Sequence, residues 1–121
     1  MSSYKDLEIY KLAYDIAIRV HKASLMLPQF ELYEQGSQIR RSTKSIKDTI
    51  AEGFGRRRYK AEFIRYLIYA QASCDEATNQ ATTIIDLYPE ISGFVDILND
   101  LEVLGKKINN FIQYVESNWK T

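Results

Sequence analysis

The stretch Gln38–Arg65, QIRRSTKSIKDTIAEGFGRRRYKAEFIR, contains the change of pattern that decides the fold. Ile39, Thr43, Ile46 and Ile50 recur at steps of four, three and four, which places them on one stripe of an α-helix. Small Ser42, Ser45 and Ala51 flank that stripe. Phe63 opens a second helical stripe after a short break containing Gly53, Gly55 and the run Arg56-Arg57-Arg58. The segment therefore predicts two amphipathic helices joined by a tight basic turn. Gly55 is the expected stop, because a glycine can close a helix in the left-handed conformation; Gly53 fits the periodicity as a small packing residue.

The same period extends outward in both directions. Ile9, Ala13, Ile16, Val20, Ala23 and Leu27 predict a helix over about 5–27, ended by Pro28, which has no N–H to continue it. The helix of the opening stretch spans about 33–54. Phe63, Leu67, Ala70, Cys74, Ala77, Ala81, Ile84 and Tyr88 alternate four-three over 59–88, and Pro89 marks the exit. A seven-residue repeat of this kind favours nearly parallel packing with a slight left-handed supercoil. Phe94, Leu98, Leu101, Gly105, Ile108, Ile112, Val115 and Trp119 define a helix over 91–119, with Ile97, Leu104 and Phe111 widening its apolar face. A close crossing by a neighbouring helix is the expected reason for Gly105. No segment has a period of two. The expectation is one all-α domain over 1–121, an up-down-up-down antiparallel four-helix bundle.

Net charge is zero, with 16 basic and 16 acidic residues, so the chain as a whole is no generic polyanion binder. The distribution is uneven. Residues 1–35 hold four basic and five acidic groups, 36–65 nine and three, and 66–121 three and eight. Arg40, Lys44 and Lys47 share one helix face with Arg41 beside it; Arg56, Arg57, Arg58 and Lys60 fill the turn, and Arg65 follows one turn into the third helix. Such a concentration of cations attracts phosphates, and Tyr59, Tyr66 and Tyr69 among them offer rings on which unpaired bases stack. The same charges also suit pairing with the acidic C-terminal half of a neighbouring subunit, through Asp75, Glu76, Asp86, Glu90, Asp96, Asp100 and Glu102. Both readings stay open on composition.

Catalytic constellations are sparse. No inward Glu-x-x-His pair suits a di-metal site, and Gly53-Phe54-Gly55 is too short for a phosphate loop. His21 is the only histidine, and Cys74 lies on a core stripe, so it reads as a buried thiol. Ser73 and Glu76 form a candidate polar pair. No catalytic residue, metal or cofactor is expected. One cysteine excludes an internal disulfide and suits a reducing compartment, no run reaches the length of a membrane span, and the expected location is cytoplasmic.

The set Gln38, Arg40, Arg41, Ser45, Ile46, Ile50, Ala51, Glu52 and Gly53, followed by Glu62-Phe63-Ile64-Arg65-Tyr66-Leu67 and Glu76, resembles the four-helix-bundle proteins encoded by intervening sequences of 23S ribosomal RNA genes. Leu7, Ile9, Tyr10, Ala13, Pro28 and Glu31 extend the resemblance over nearly the whole chain. It implies a homo-oligomeric ring, usually a pentamer, with no established catalytic activity. Accessory proteins of diversity-generating retroelements look similar, and they bind nucleic acid and a protein partner, a reverse transcriptase, through a basic surface. The sequence departs from the pattern at Thr49 (commonly Asn), Gln35 (commonly apolar) and Tyr59 (frequently Ser, a helix cap).

Overall fold

Four helices are present in the computed structural model, which describes residues 2–120: α1 Glu8–Ser24, α2 Gln35–Gly55, α3 Lys60–Leu87 and α4 Phe94–Asn118. Two 3-10 turns, Tyr4–Asp6 and Gln29–Tyr33, precede α1 and α2, and no strand occurs among the described residues. The all-α class expected from the sequence holds.

The ends differ from expectation for local reasons. α1 is shorter than 5–27 at both ends. Ser3 and Asp6 form a capping box around a separate turn, and extended Leu7 then interrupts the chain before Glu8. At the other end, N–H groups of Leu25, Met26 and Leu27 bond to carbonyls three residues back, tightening the chain ahead of Pro28. α2 closes at Gly55, but not by a left-handed glycine: Arg56 takes the closing position with φ −102° and ψ 9°. Gly93, at φ 99°, is the left-handed residue; it turns the chain into α4, which begins at Phe94 instead of Ile91. Trp119 lies just past α4 in extended backbone, yet its ring packs edge-on against Phe63 at 5.2 Å.

The stripes predicted from periodicity form one core. Ile16, Val20, Ile39, Ile46, Ile50, Phe63, Leu67, Ile84, Leu101 and Ile108 are fully enclosed. Each such side chain stabilises the fold by about 1.5–3 kcal/mol relative to exposure. Ala23, Tyr88, Leu98 and Phe111 sit at the rim, half-buried. Ser24 and Thr43, also buried, satisfy their hydroxyls on carbonyls one turn back, at 2.9 and 2.8 Å.

Each helix packs on its chain neighbours, and α1 also packs on α4. Tyr14 meets Lys47 and Ser24 meets Arg40 between α1 and α2; Ser73 meets Ser45 and Gln80 meets Ser42 between α2 and α3. Phe63 meets Phe111, and Cys74 meets Leu101, between α3 and α4. In each set the residue number rises on one helix as it falls on the other, which is consistent with an alternating antiparallel arrangement. The turn Arg56–Tyr59, the first residues of α1 and the end of α4 thus lie at one end of the bundle.

Candidate nucleic-acid interface

With Ile39, Thr43, Ile46 and Ile50 turned inward, α2 presents Arg40, Lys44 and Lys47 toward the α1 side and Ser42 and Ser45 toward α3. The cations on this helix divide into two kinds. Arg40 is half-buried, and its guanidinium donates to the Ser24 hydroxyl at 2.8 Å and the Leu32 carbonyl at 2.6 Å. Gly36 leaves the room: a Cβ there would lie 2.9 Å from Arg40 Nη1. Arg40 therefore ties α2 to α1 and to the 3-10 turn before it. Lys47 pairs with Asp48 at 2.7 Å and lies 5.9 Å from the Tyr14 ring; the bond to Asp48 raises its pKa against the opposing effect of burial. Arg41 and Lys44 are exposed and make no ion pair with the described residues.

At the turn, each arginine is set against an aromatic ring. Arg56 lies 4.7 Å from the Tyr66 ring and reaches Glu62 at 3.4 Å and Glu52 at 3.7 Å. Arg58, exposed, lies 5.7 Å from the exposed Tyr59 ring. Arg65 sits 5.8 Å from Tyr66 and 5.7 Å from Tyr69, with Glu62 at 3.3 Å, and the two tyrosines pack edge-to-face at 5.5 Å. Arg57 differs from these three. It is half-buried on Phe54 at 3.9 Å and donates to the Phe54 carbonyl at 2.9 Å, while its own carbonyl accepts Trp119 Nε1 at 2.9 Å. Lys60 donates to the Glu116 carbonyl at 2.6 Å, tying the turn to the end of α4.

Of the nine cations singled out from the sequence, Arg40 and Arg57 hold the fold, and Lys47 and Lys60 have close internal partners. Arg41, Lys44, Arg56, Arg58 and Arg65 reach the surface. Ion pairs between exposed groups are worth about 0–1 kcal/mol, so Arg56 and Arg65 can exchange Glu62 for a phosphate at little cost. Guanidinium groups lying on tyrosine faces are preordered for that exchange.

Sequence reading missed the aromatic row on the α1 side of α2. Tyr4 packs edge-on against Tyr10 at 4.8 Å, and Tyr10 approaches Tyr14 at 6.1 Å. Lys5, Tyr10, Lys11 and Tyr14 line an open groove of about 470 Å³. The i, i+4 spacing of Tyr10 and Tyr14 was the available signal, masked because neither lies on the apolar stripe.

The residues with chemistry of their own are engaged elsewhere. Cys74 is buried, its sulfur donates to the Leu101 carbonyl at 3.3 Å, and burial pushes its pKa up to about 12. Ser73 shares a hydrogen bond with Ser45 at 3.0 Å in place of the expected partner, and Glu76 is exposed. His21 is exposed. Among the described residues no group of three or more His, Cys, Asp or Glu is placed to hold a metal, and no helix is long and apolar enough to cross a membrane.

The helical architecture, with Gly53 of α2 packed on Tyr66 and Phe63 of α3, accompanies a match of residues 5–110 to the family model of the 23S rRNA-intervening sequence protein. The chain belongs to this family. The match takes in all of α1, α2 and α3 and most of α4, so every cation of the candidate interface falls inside the family region. Comparison with curated proteins gives no match.

Proposed function

We propose that this chain is a non-enzymatic, up-down-up-down antiparallel bundle that assembles into a homo-oligomeric ring in the cytoplasm and binds RNA or DNA through the basic end of α2 and α3. A pentamer is the ring size that the sequence resemblance implies. The observation that carries the binding reading is the set Arg56, Arg58 and Arg65, each lying on a tyrosine ring at the bundle's surface. Cations beside aromatic faces serve the two halves of a nucleotide, phosphate and base. Arg41 and Lys44, which form no ion pair with the described residues, add exposed positive charge further along α2. The non-enzymatic reading is supported by the thiol of Cys74, which lies in the core and stays protonated at neutral pH.

Affinity for a random single-stranded oligonucleotide, measured across salt concentrations, tests this function. Binding should weaken steadily as salt rises, and Arg56→Glu with Arg58→Glu should reduce it at every salt. Absence of binding at low salt, or a double variant that binds like the parent, overturns the reading.

A second reading, assembly without a nucleic-acid ligand, is favoured by the opposite end of the bundle. Met26, Phe30 and Tyr33 are 72%, 65% and 82% exposed there, next to exposed Leu25 and Leu87. Exposed apolar groups in such number mark an interaction surface. Glu34, Asp86 and Glu90 lie among them in sequence and are exposed, so this end complements the arginine turn of a neighbouring copy.

A further inference from the structure

The groove lined by Lys5, Tyr10, Lys11 and Tyr14 lies on the side of α2 facing away from the Arg56–Arg65 cluster, and neither the family match nor the sequence motif assigns it a role. Its shape comes from two elements. The capped turn Tyr4–Asp6 holds Tyr4 against Tyr10, and the first two turns of α1 place Tyr10 and Tyr14 on one face. From α2, Lys47 reaches over to lie 5.9 Å from the Tyr14 ring. Tyr14 nevertheless leaves 47% of its surface to solvent, so a ring face is available.

The charges around the groove do not cancel. The carboxylates around the groove have closer partners than the groove lysines: Asp6 accepts from the backbone N–H groups of Ser2 and Ser3, Glu8 pairs with Lys107 and more weakly feels Lys11, Asp15 pairs with Arg19, and Asp48 with Lys47. Lys5 and Lys11 at the groove, and Lys44 one turn from Lys47 on α2, make no ion pair with the described residues. The exposed part of the Tyr14 ring is therefore bordered by the ammonium groups of Lys5 and Lys11, which form no ion pair with the described residues, although Lys11 also feels the charge of Glu8. An acidic peptide would use the lysines and leave the rings idle. A duplex would offer phosphates but no free base face. A nucleotide of an unpaired strand uses both, with its phosphate on the lysines and its base on the tyrosine.

We propose that this groove is a second contact site for single-stranded nucleic acid, receiving one base against Tyr14 and its phosphate between Lys5 and Lys11. The inference rests on the nucleic-acid reading above and extends it to the opposite flank of α2. Tyr10, whose pKa is raised mainly by burial, stays a protonated hydroxyl donor at the groove wall.

The test is fluorescence anisotropy of a labelled single-stranded oligonucleotide with the full chain, alongside calorimetric titration with adenosine monophosphate. Tyr14→Ala should weaken strand binding roughly tenfold, as loss of one stacked base does, while Tyr14→Phe, which keeps the ring, should bind like the parent. Lys11→Glu should lower the slope of log affinity against log salt by about one. Melting temperatures of these surface variants should stay near that of the parent, and adenosine monophosphate should bind far more weakly than the strand. A parent that binds the strand while all three variants match it overturns the groove but leaves the arginine cluster standing. A parent that binds the monophosphate and not the strand overturns both strand assignments and leaves a free nucleotide as the groove's ligand. A parent that binds neither overturns the groove and the nucleic-acid function together.

Discussion

Gly53 and Tyr66 approach so closely that a Cβ added to the glycine would lie 2.8 Å from the Cβ of the tyrosine. The contact point is the base of a side chain, not its flexible tip, so the two helix backbones themselves must separate to admit a methyl group. Gly53 thereby sets the α2–α3 spacing beside the ring that carries Arg56 and touches Tyr69. Gly53→Ala should lower stability by about 1–3 kcal/mol despite the better helix propensity of alanine, lowering the melting temperature by several degrees. Gly55 is the internal control. It also lies in α2 but has nothing within 4 Å of its Cβ position and no left-handed backbone. Gly55→Ala should raise stability by up to about 1 kcal/mol. Thermal melts of the two variants check both signs.

Arg40 and Arg41 are adjacent in sequence and opposite in role. Removing the Arg40 side chain takes two charge-assisted hydrogen bonds from a half-buried site, so Arg40→Ala should destabilise the fold by roughly 2–3 kcal/mol. Arg41→Ala should change stability by no more than about 0.5 kcal/mol and instead weaken oligonucleotide binding with a reduced salt slope. Urea unfolding paired with binding isotherms separates the two effects.

How much of this was legible in advance depended on range along the chain. Ile39, Ile46, Phe63, Leu67, Ile84 and Leu101 were all found from helical periodicity, since burial there follows directly from spacing. The fate of the arginines did not follow from spacing. Arg40 turns inward because Ser24 and the Leu32 carbonyl, from two other segments, come within its reach, and the turn at Arg57, whose side chain lies on nearby Phe54, is closed by Trp119, which donates to the Arg57 main-chain carbonyl from the far end of the chain. Only the fold brings those partners together. Gly105 shows the converse error: its Cβ position lies 3.7 Å from Cys74 Sγ, an ordinary contact, so no unusually close helix crossing demands a glycine there.

Cys74 gives a prediction in pH. Burial raises its thiol pKa from 9.0 to about 12 in the folded chain, so the folded state holds this proton more tightly than the unfolded state does. The stabilisation is fully present below about pH 9 and is lost as pH rises toward 12. Cys74→Ser, which lacks that ionisation, should show a shallower loss of stability over this window. At pH 8 the native thiol should react with a disulfide reagent only as fast as the chain opens, and at once in denaturant. Rapid labelling of the folded protein would contradict the buried assignment.

The exposed apolar end supplies the test of assembly. Met26 and Phe30 lie in the connection between α1 and α2, where neither contributes to the buried core. Met26→Asp with Phe30→Asp should therefore leave the helical content and the core intact. If copies associate through this end, the double substitution places charge in a desolvated contact that already carries Glu34, Asp86 and Glu90 nearby, and light scattering should show the mass falling toward that of the 14.1 kDa chain. Arg56→Glu with Arg58→Glu discriminates further. If the acidic end of one copy meets the arginine turn of the next, those reversals dissociate the assembly as well. If the turn serves nucleic acid alone, they abolish strand binding while the mass stays that of the oligomer. An assembly that survives both pairs of substitutions removes this end of the bundle from the interface.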